Sequence, residues 1–204
     1  TGGAITIDAA TTTTLNGQLL AEGGRDSGTL AADGGEILVN TTGTASSLTW
    51  VKGAVTTNNV NIEIRGTGIT VDDGAPITTT SGGGVILDSS TAGAVDIGVG
   101  SAISSGTPGI SINGFDGVSF GSSLTTLGGP VTITSDNGLV EGIGTASTIM
   151  TVGLFNTVSG LVTISGETGV SLEGAITSRG ADVIGPIQAG HGGAVEITSA
   201  SGAA

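Results

Sequence analysis

The sequence contains no cysteine and no tyrosine, and it has one histidine and one tryptophan among 204 residues. Without cysteine the chain has no disulfide framework, no thiol nucleophile and no thiolate ligand for zinc. One histidine with dispersed carboxylates cannot supply the usual ligand set of a transition-metal site. The sequence therefore predicts no catalytic, cofactor-binding or metal-binding residues of these types.

Basic residues are also scarce, because four Lys and Arg face seventeen Asp and Glu, which gives a net charge of -13. Such a chain is repelled by phosphate backbones and by anionic membranes. The sequence also lacks an apolar run near the roughly 18 residues that a spanning helix needs, and no basic segment followed by an apolar one stands at Thr1. We predict no nucleic-acid binding and no membrane insertion.

Helix formers such as Lys, Arg, Gln and Met are few, aromatic residues make up 2%, and Gly occurs 40 times. No window repeats apolar residues with helical spacing without an intervening Gly. A mean hydropathy of +0.39 argues against disorder. The chain is therefore predicted to be all-β, with a thin core of Ile, Val, Leu and Ala.

Short stretches in which two aliphatic residues flank a small or polar one recur along the chain and predict β-strands. The clearest are residues 5–7, 37–39, 62–64, 69–71, 95–97, 110–112, 131–133, 162–164, 170–172 and 195–197. Some continue into a second short strand, as within 170–180 and 183–190. The Thr-rich and Ser-rich stretches 11–14, 78–80 and 101–109 predict turns or exposed side walls.

These strands suit either an immunoglobulin-like sandwich or a parallel β-helix. A sandwich uses large residues between its sheets, whereas Trp50 stands alone here. Gly-led strands spaced by twenty to thirty residues fit a solenoid better. We predict a single-stranded parallel β-helix of roughly nine coils, with about 22 residues per coil and a length of about 43 Å. The residues expected to point inward are Ile7, Val39, Ile64, Ile97, Ile112, Ile133, Ile164, Val170 and Ile197.

Residues 1–204 show no boundary and are predicted to form one solenoid domain. Residues 41–66 match the pattern worst and gather Trp50, Lys52 and Arg65, three of the few large or basic side chains. An irregular excursion from the coil is therefore predicted around 41–66.

Phrases such as Gly192-Gly193-Ala194-Val195-Glu196-Ile197-Thr198 and Gly129-Pro130-Val131-Thr132-Ile133-Thr134 recur in degenerate form, as does the Ile-x-Ala-Gly phrase at 187–190. In these phrases the chain resembles the repetitive bacterial adhesins typified by filamentous haemagglutinin and the related autotransporter passengers. The resemblance implies a right-handed parallel β-helix that forms the shaft of a secreted or surface-exposed fibre.

Few residues could carry chemistry. His191 lies in a Gly-rich corner and is interpreted as a turn residue, and Asp72-Asp73-Gly74 as a solvated turn, with a calcium or catalytic role as the alternative. Arg65 and Arg179 are too far apart in sequence to be assigned to one cleft. The tandem Gly-Gly-x-Gly-x-Asp repeat of calcium β-rolls is absent, because Asp88 comes too late after its Gly run, so only adventitious calcium stays open.

Two further patterns involve threonine and phenylalanine. Thr132-Ile133-Thr134 resembles the Thr-x-Thr arrays of ice-binding rods, but it does not recur at constant spacing. Phe115, Phe120 and Phe155 are expected in the interior stack or at corners. The favoured function is a structural shaft of an extracellular bacterial fibre or adhesin, not an enzyme, whose partners are further copies, neighbouring repeats or surface glycans. The alternative is a carbohydrate- or ice-binding solenoid.

Overall fold

The computed structural model describes residues 2–26, 29–30, 32–41, 47–80, 82–89, 91–154, 158–181 and 190–200. Within these ranges there is no helix, and the chain winds through three parallel sheets, one strand of each sheet per coil. The predicted fold class, an all-β parallel β-helix, is confirmed.

Sheet A has eight strands, paired in parallel and in register. In order across the sheet they are β1 (Ile5–Ile7), β6 (Ile37–Val39), β9 (Ile62–Arg65), β12 (Val85–Ser89), β15 (Ile110–Gly114), β18 (Val131–Ser135), β21 (Val162–Gly166) and β24 (Val195–Ser199). Seven spacings of about 4.8 Å separate the first strand from the last by about 34 Å.

Sheet B has seven strands, again all parallel. They are β2 (Thr12–Leu15), β7 (Leu48–Val51), β10 (Ile69–Val71), β13 (Val95–Ile97), β16 (Gly117–Phe120), β19 (Leu139–Gly142) and β22 (Gly169–Leu172).

Sheet C completes the coils with seven parallel strands. They are β3 (Leu19–Ala21), β8 (Val55–Thr57), β11 (Ile77–Thr78), β14 (Ile103–Ser105), β17 (Leu124–Leu127), β20 (Ile149–Val152) and β23 (Ile176–Arg179). The one departure from parallel winding is a short antiparallel pair between β3 and β6, formed by β4 (Arg25–Asp26) and β5 (Thr29–Leu30).

All ten strands predicted from alternating aliphatic residues are present. The described residues make seven complete coils and an eighth rung of sheet A, fewer than the nine estimated. The estimate assumed a uniform coil, but the coil from Val131 to Val162 takes 31 residues and that from Ile110 to Val131 takes 21, by the difference of paired residue numbers. The extra residues lengthen corners and add no rung.

The core consists of aliphatic columns that run along the axis, because every strand places the same inward positions above those of the preceding coil. Ile62, Val85 and Val131 lie in one column of sheet A, and Ile64 and Ile133 in the next, all fully buried. The predicted inward residues at the two ends, Ile7 and Ile197, and Val170 near one end, are less buried than these.

Residues 47–66, within the region where an excursion was predicted, form β7, β8 and β9 in register with the neighbouring coils; residues 42–46 lie outside the described residues. The large side chains of Trp50, Lys52 and Arg65 need no excursion because they project from the outer surface. The predicted second strand in 183–190 falls mostly on residues 182–189, which are also outside the described residues.

The stretches predicted as turns or side walls contain strands as well. Thr12–Leu15 is β2, and Ile103–Ser105 is β14. Thr13 and Thr79 point inward and are buried. Thr79 Oγ1 donates to the Val60 carbonyl at 2.8 Å, which satisfies the buried hydroxyl.

Replacing Ile112 with Ala should lower the free energy of unfolding by about 2–5 kcal/mol, because the side chain is fully buried in a close-packed column. The control is Ser111→Ala, whose exposed side chain points outward on the same strand and whose loss should change stability by less than about 0.5 kcal/mol. Urea unfolding followed by circular dichroism measures both. Equal effects would contradict the assignment of inward and outward faces.

Replacing two glycines in turn with Ala should separate the free-energy cost of a left-handed backbone conformation from the cost of steric crowding. Gly109 (φ 90°) and Gly144 (φ 73°) both lie in the left-handed region, but a Cβ on Gly109 would overlap the Pro130 carbonyl oxygen, whereas one on Gly144 would meet nothing within 4 Å. Gly144→Ala should cost about 1 kcal/mol. Gly109→Ala should cost about 1–3 kcal/mol more in the same unfolding assay, and equal losses would show that crowding is unimportant.

Candidate functional site

The outer surface of sheet B carries the most chemically varied side chains of the described residues. One outward position in successive strands holds Trp50, Thr70, Asp96, Ser119 and Glu141, in register from coil to coil. We call these five residues the Trp50 row. Adjacent members are about 4.8 Å apart along the axis, so a ligand of modest size would contact several at once.

In strand β7 two large apolar side chains point outward and a polar side chain points inward, the reverse of the usual arrangement. Leu48 and Trp50 face outward, with 57% and 44% of their surface exposed, while Thr49 faces inward and is 2% exposed. Thr49 is held there by hydrogen bonds: its Oγ1 donates to the Arg65 carbonyl at 2.7 Å and accepts from Asn40 Nδ2 at 2.9 Å. The buried hydroxyl therefore fixes the register that turns two large apolar side chains to solvent.

The indole of Trp50 is held in place by two neighbours. Lys52, two residues along on the same side of β7, places its Nζ 4.0 Å from the centroid of the ring. Nε1 of Trp50 donates a hydrogen bond to Oδ1 of Asp72 in the next coil. These contacts cover one side of the ring and satisfy its only polar atom.

A hollow of about 400 Å³ lies on the other side of the indole, and we call it the tryptophan hollow. Gly68, Ala94 and Gly117 follow Leu48 at the same outward position of successive coils, so these three positions add no side chain larger than a methyl group, and Leu48 borders the hollow with its Cδ2 over Gly68. Its lining comprises Thr12, Leu48, Thr49, Trp50, Thr67, Gly68, Ile69, Thr70, Gly93, Ala94 and Asp96.

A second hollow of about 490 Å³, the aspartate hollow, lies across the Thr70–Asp96 rung from the first. Gly98 and Gly121 leave it open, and Ile143 closes one side. Asp72 and Asp73 line it from the turn that precedes Gly74 (φ 72°). Asp73 Oδ1 accepts a hydrogen bond from the Val99 amide at 2.8 Å, so this carboxylate also holds the next coil in position.

The Asp72-Asp73-Gly74 segment thus forms the turn that the sequence predicted, at the corner between sheets B and C. His191 is exposed at a corner on the way to β24. Within the part of the chain that the structure describes, no three His, Cys, Asp or Glu residues are grouped so that they could hold a metal ion.

Arg65 and Arg179 lie far apart. Arg65 is in sheet A of the third coil, where its Nε is 2.6 Å from Glu63 Oε1 and 3.9 Å from Asp88 Oδ2. Arg179 ends β23 in sheet C of the seventh coil. The Arg65 cluster is therefore an ion-pair network on the outer face of sheet A, away from both hollows.

The two phenylalanines among the described residues do not line the hollows. Phe120 is fully buried and stacks in the column of Val71 and Ile97, where Gly142 leaves room for its ring. Phe115 is half-buried at the corner between β15 and β16. Phe155 lies outside the described residues.

Part of the Thr-x-Thr pattern aligns on sheet A. Thr132 and Thr134 stand beside Thr163 and Ser165 of the next coil. Two coils earlier in the chain, the positions that correspond to Thr132 and Thr134 are occupied by Ile86 and Asp88. The face is therefore not a uniform array of hydroxyls along its length.

Trp50, Lys52 and Asp72 stand out in the sequence, but no sequence pattern predicts that they are in contact. No pattern assigns a role to Leu48, Gly68, Ala94 or Asp96. The sequence signal that could have located the hollow is Leu48-Thr49-Trp50-Val51. If Val51 points into the core, Thr49 also points inward, and Leu48 and Trp50 must face outward.

Comparison with family models, with curated proteins and with solved structures gives no match for this chain. The resemblance to repetitive adhesins therefore stays a prediction. No helix long and apolar enough to cross a membrane occurs among the described residues.

Because Trp50 is the only tryptophan, its fluorescence reports on this surface alone. Two negative charges and one positive charge lie near the indole. Asp72 is hydrogen-bonded to it, Asp96 lines the tryptophan hollow, and the Lys52 ammonium stands over the ring. Relative to each ion's quenching of free N-acetyltryptophanamide, we expect caesium to quench Trp50 roughly twofold more than iodide at low salt, with the difference shrinking as ionic strength rises. A relative quenching that is stronger for iodide would contradict a negative surface potential here.

Proposed function

We propose that this chain is a non-catalytic structural segment of an extracellular bacterial fibre or adhesin shaft. It extends along its axis, either as part of a longer repetitive chain or by end-to-end stacking of copies. The observation that carries the proposal is the state of the aliphatic columns at β24, the outermost described rung of sheet A.

At β24 the aliphatic columns end in side chains that are exposed to solvent. Val195 and Ile197 are 45% and 38% exposed, while Val162 and Ile164, their partners in the preceding coil, are fully buried. One more coil in the same register would cover both side chains and remove apolar surface from water, at about 25 cal/mol per Å². The end of the column therefore favours continuation of the ladder.

The backbone supports the same direction of growth. Within the described residues β24 is the last strand of sheet A, so no further strand pairs with the edge that faces away from β21. Such edges template the addition of further strands. A contact between β24 of one unit and β1 of the next would be head-to-tail, which gives an open filament unless rotation closes it.

Charge favours axial over lateral association. The net charge of -13 makes the sides of neighbouring rods repel each other. At the ends the contacts are backbone hydrogen bonds and aliphatic stacking, which depend less on charge. The resemblance to secreted adhesins supports an extracellular location.

Replacing Ile197 with Lys should abolish concentration-dependent growth of rods, because it places an ammonium in the column that the next unit must cover. Ile197 is already partly exposed, so the isolated chain should keep its fold. Sedimentation velocity across a concentration series, with negative-stain microscopy of the same samples, measures rod length.

Thr198→Lys is the matched control, since it adds the same charge to the neighbouring residue on the outward phase of β24. It should leave growth unchanged. The covalent form of the proposal is tested by the size of the natural polypeptide on an immunoblot. A wild-type chain that stays monomeric at high concentration, together with a natural polypeptide no longer than this one, would overturn the proposal.

A further inference from the structure

The inverted strand β7 exposes apolar surface that the fold itself does not require. Leu48 and Trp50 face solvent side by side, and Leu48 lies over Gly68, with Cδ2 3.0 Å from where a Cβ on that glycine would stand. Exposed apolar groups rimmed by polar ones mark interaction sites more often than they mark folding needs. The tryptophan hollow is therefore the strongest candidate for a binding site.

We propose that the tryptophan hollow binds a neutral saccharide, with one pyranose ring stacked on the face of Trp50 opposite Lys52. The apolar C–H face of a pyranose is complementary to an indole face, and its hydroxyl groups need polar partners around the edge. The hollow volume of about 400 Å³ lies in the range of small-molecule pockets.

The platform is organised before any ligand arrives. Lys52 covers the far side of the ring and Asp72 holds Nε1, so stacking costs little side-chain entropy. Leu48 Cδ2 covers Gly68, and beyond it the floor at Ala94 carries only a methyl group, which lets a flat ring approach the indole. Preorganisation of this kind distinguishes a binding platform from an incidentally exposed aromatic residue.

Polar groups stand where sugar hydroxyls would reach. Thr12 and Thr70 bring hydroxyl groups to the lining, and Asp96 brings a carboxylate. Ser119 Oγ donates to Oδ1 of Asp96 at 2.7 Å, which orients the carboxylate and leaves Oδ2 as an acceptor. A carboxylate that accepts from a sugar hydroxyl forms a charge-assisted hydrogen bond, which is stronger than a neutral one.

Charge selects a neutral ligand over the two charged alternatives. Asp96 lines the site, and Asp72 and Asp73 line the neighbouring aspartate hollow, so uronic acids, sialic acids and phosphates are repelled. A quaternary ammonium would meet the opposite difficulty, because the Lys52 ammonium already occupies the other face of the same ring. A neutral sugar meets neither repulsion.

The single tryptophan makes the test direct. We would first screen the wild-type chain on an array of neutral and anionic glycans, then titrate it with the neutral hits and with cellohexaose and chitohexaose while following Trp50 emission. Choline chloride and a heparin hexasaccharide serve as charged probes. A saturable change in emission with at least one neutral saccharide is expected, and none with either charged probe.

Three variants locate the binding. Ala94→Leu should weaken it at least tenfold by filling the floor of the hollow, while Trp50 still reports by fluorescence. Trp50→Ala, followed by calorimetry, should also weaken it at least tenfold. Leu127→Ala removes an apolar side chain of similar exposure (43%) on sheet C and should have no effect.

The proposal is overturned if no neutral glycan binds, if binding survives Ala94→Leu unchanged, or if only choline or heparin binds. It does not rest on filament growth. The Ile197→Lys chain should bind the same saccharide with unchanged affinity, so loss of rods and loss of sugar binding are separate results.

Discussion

The structure depends on one constraint, the in-register stacking of parallel strands from coil to coil. Side chains alternate across a strand with a period of two, so one slipped residue would exchange the buried column of Ile62, Val85 and Ile110 for the outward column of Glu63, Ile86 and Ser111. Register must therefore be kept at every rung, and variation is confined to the corners. This is why coils of different length share one uninterrupted core.

The alternation of two aliphatic residues predicted seven of the eight strands of sheet A and three of the seven strands of sheet B, and it missed most of sheet C for a physical reason. Strands such as Val55-Thr56-Thr57 and Leu124-Thr125-Thr126 have one aliphatic residue inward and then a threonine. The inward threonine bonds a corner carbonyl, as Thr126 Oγ1 does with Gly129 at 2.5 Å. Such a threonine looks polar in the sequence, but its hydroxyl is satisfied by a backbone carbonyl, so it can be buried in the fold.

The candidate site was less predictable than the fold because its parts meet only through long-range register. The scarcity of large side chains drew attention to Trp50 and Lys52, whereas the hollow beside them is created by Gly68 and Ala94 in two later coils. A gap between side chains has no sequence signature until the rungs are aligned. The same register that builds the core thus determines which outward residues become neighbours.

Each rung touches chiefly the rungs directly above and below it, which has a consequence for how the chain acquires its shape. A completed coil presents a finished template on which the next can form, so order can advance one turn at a time along the axis. Loop closure then involves only some twenty to thirty residues per step, a small entropic cost for each addition. A chain released gradually from one end could therefore become rigid progressively, before its remaining length is free.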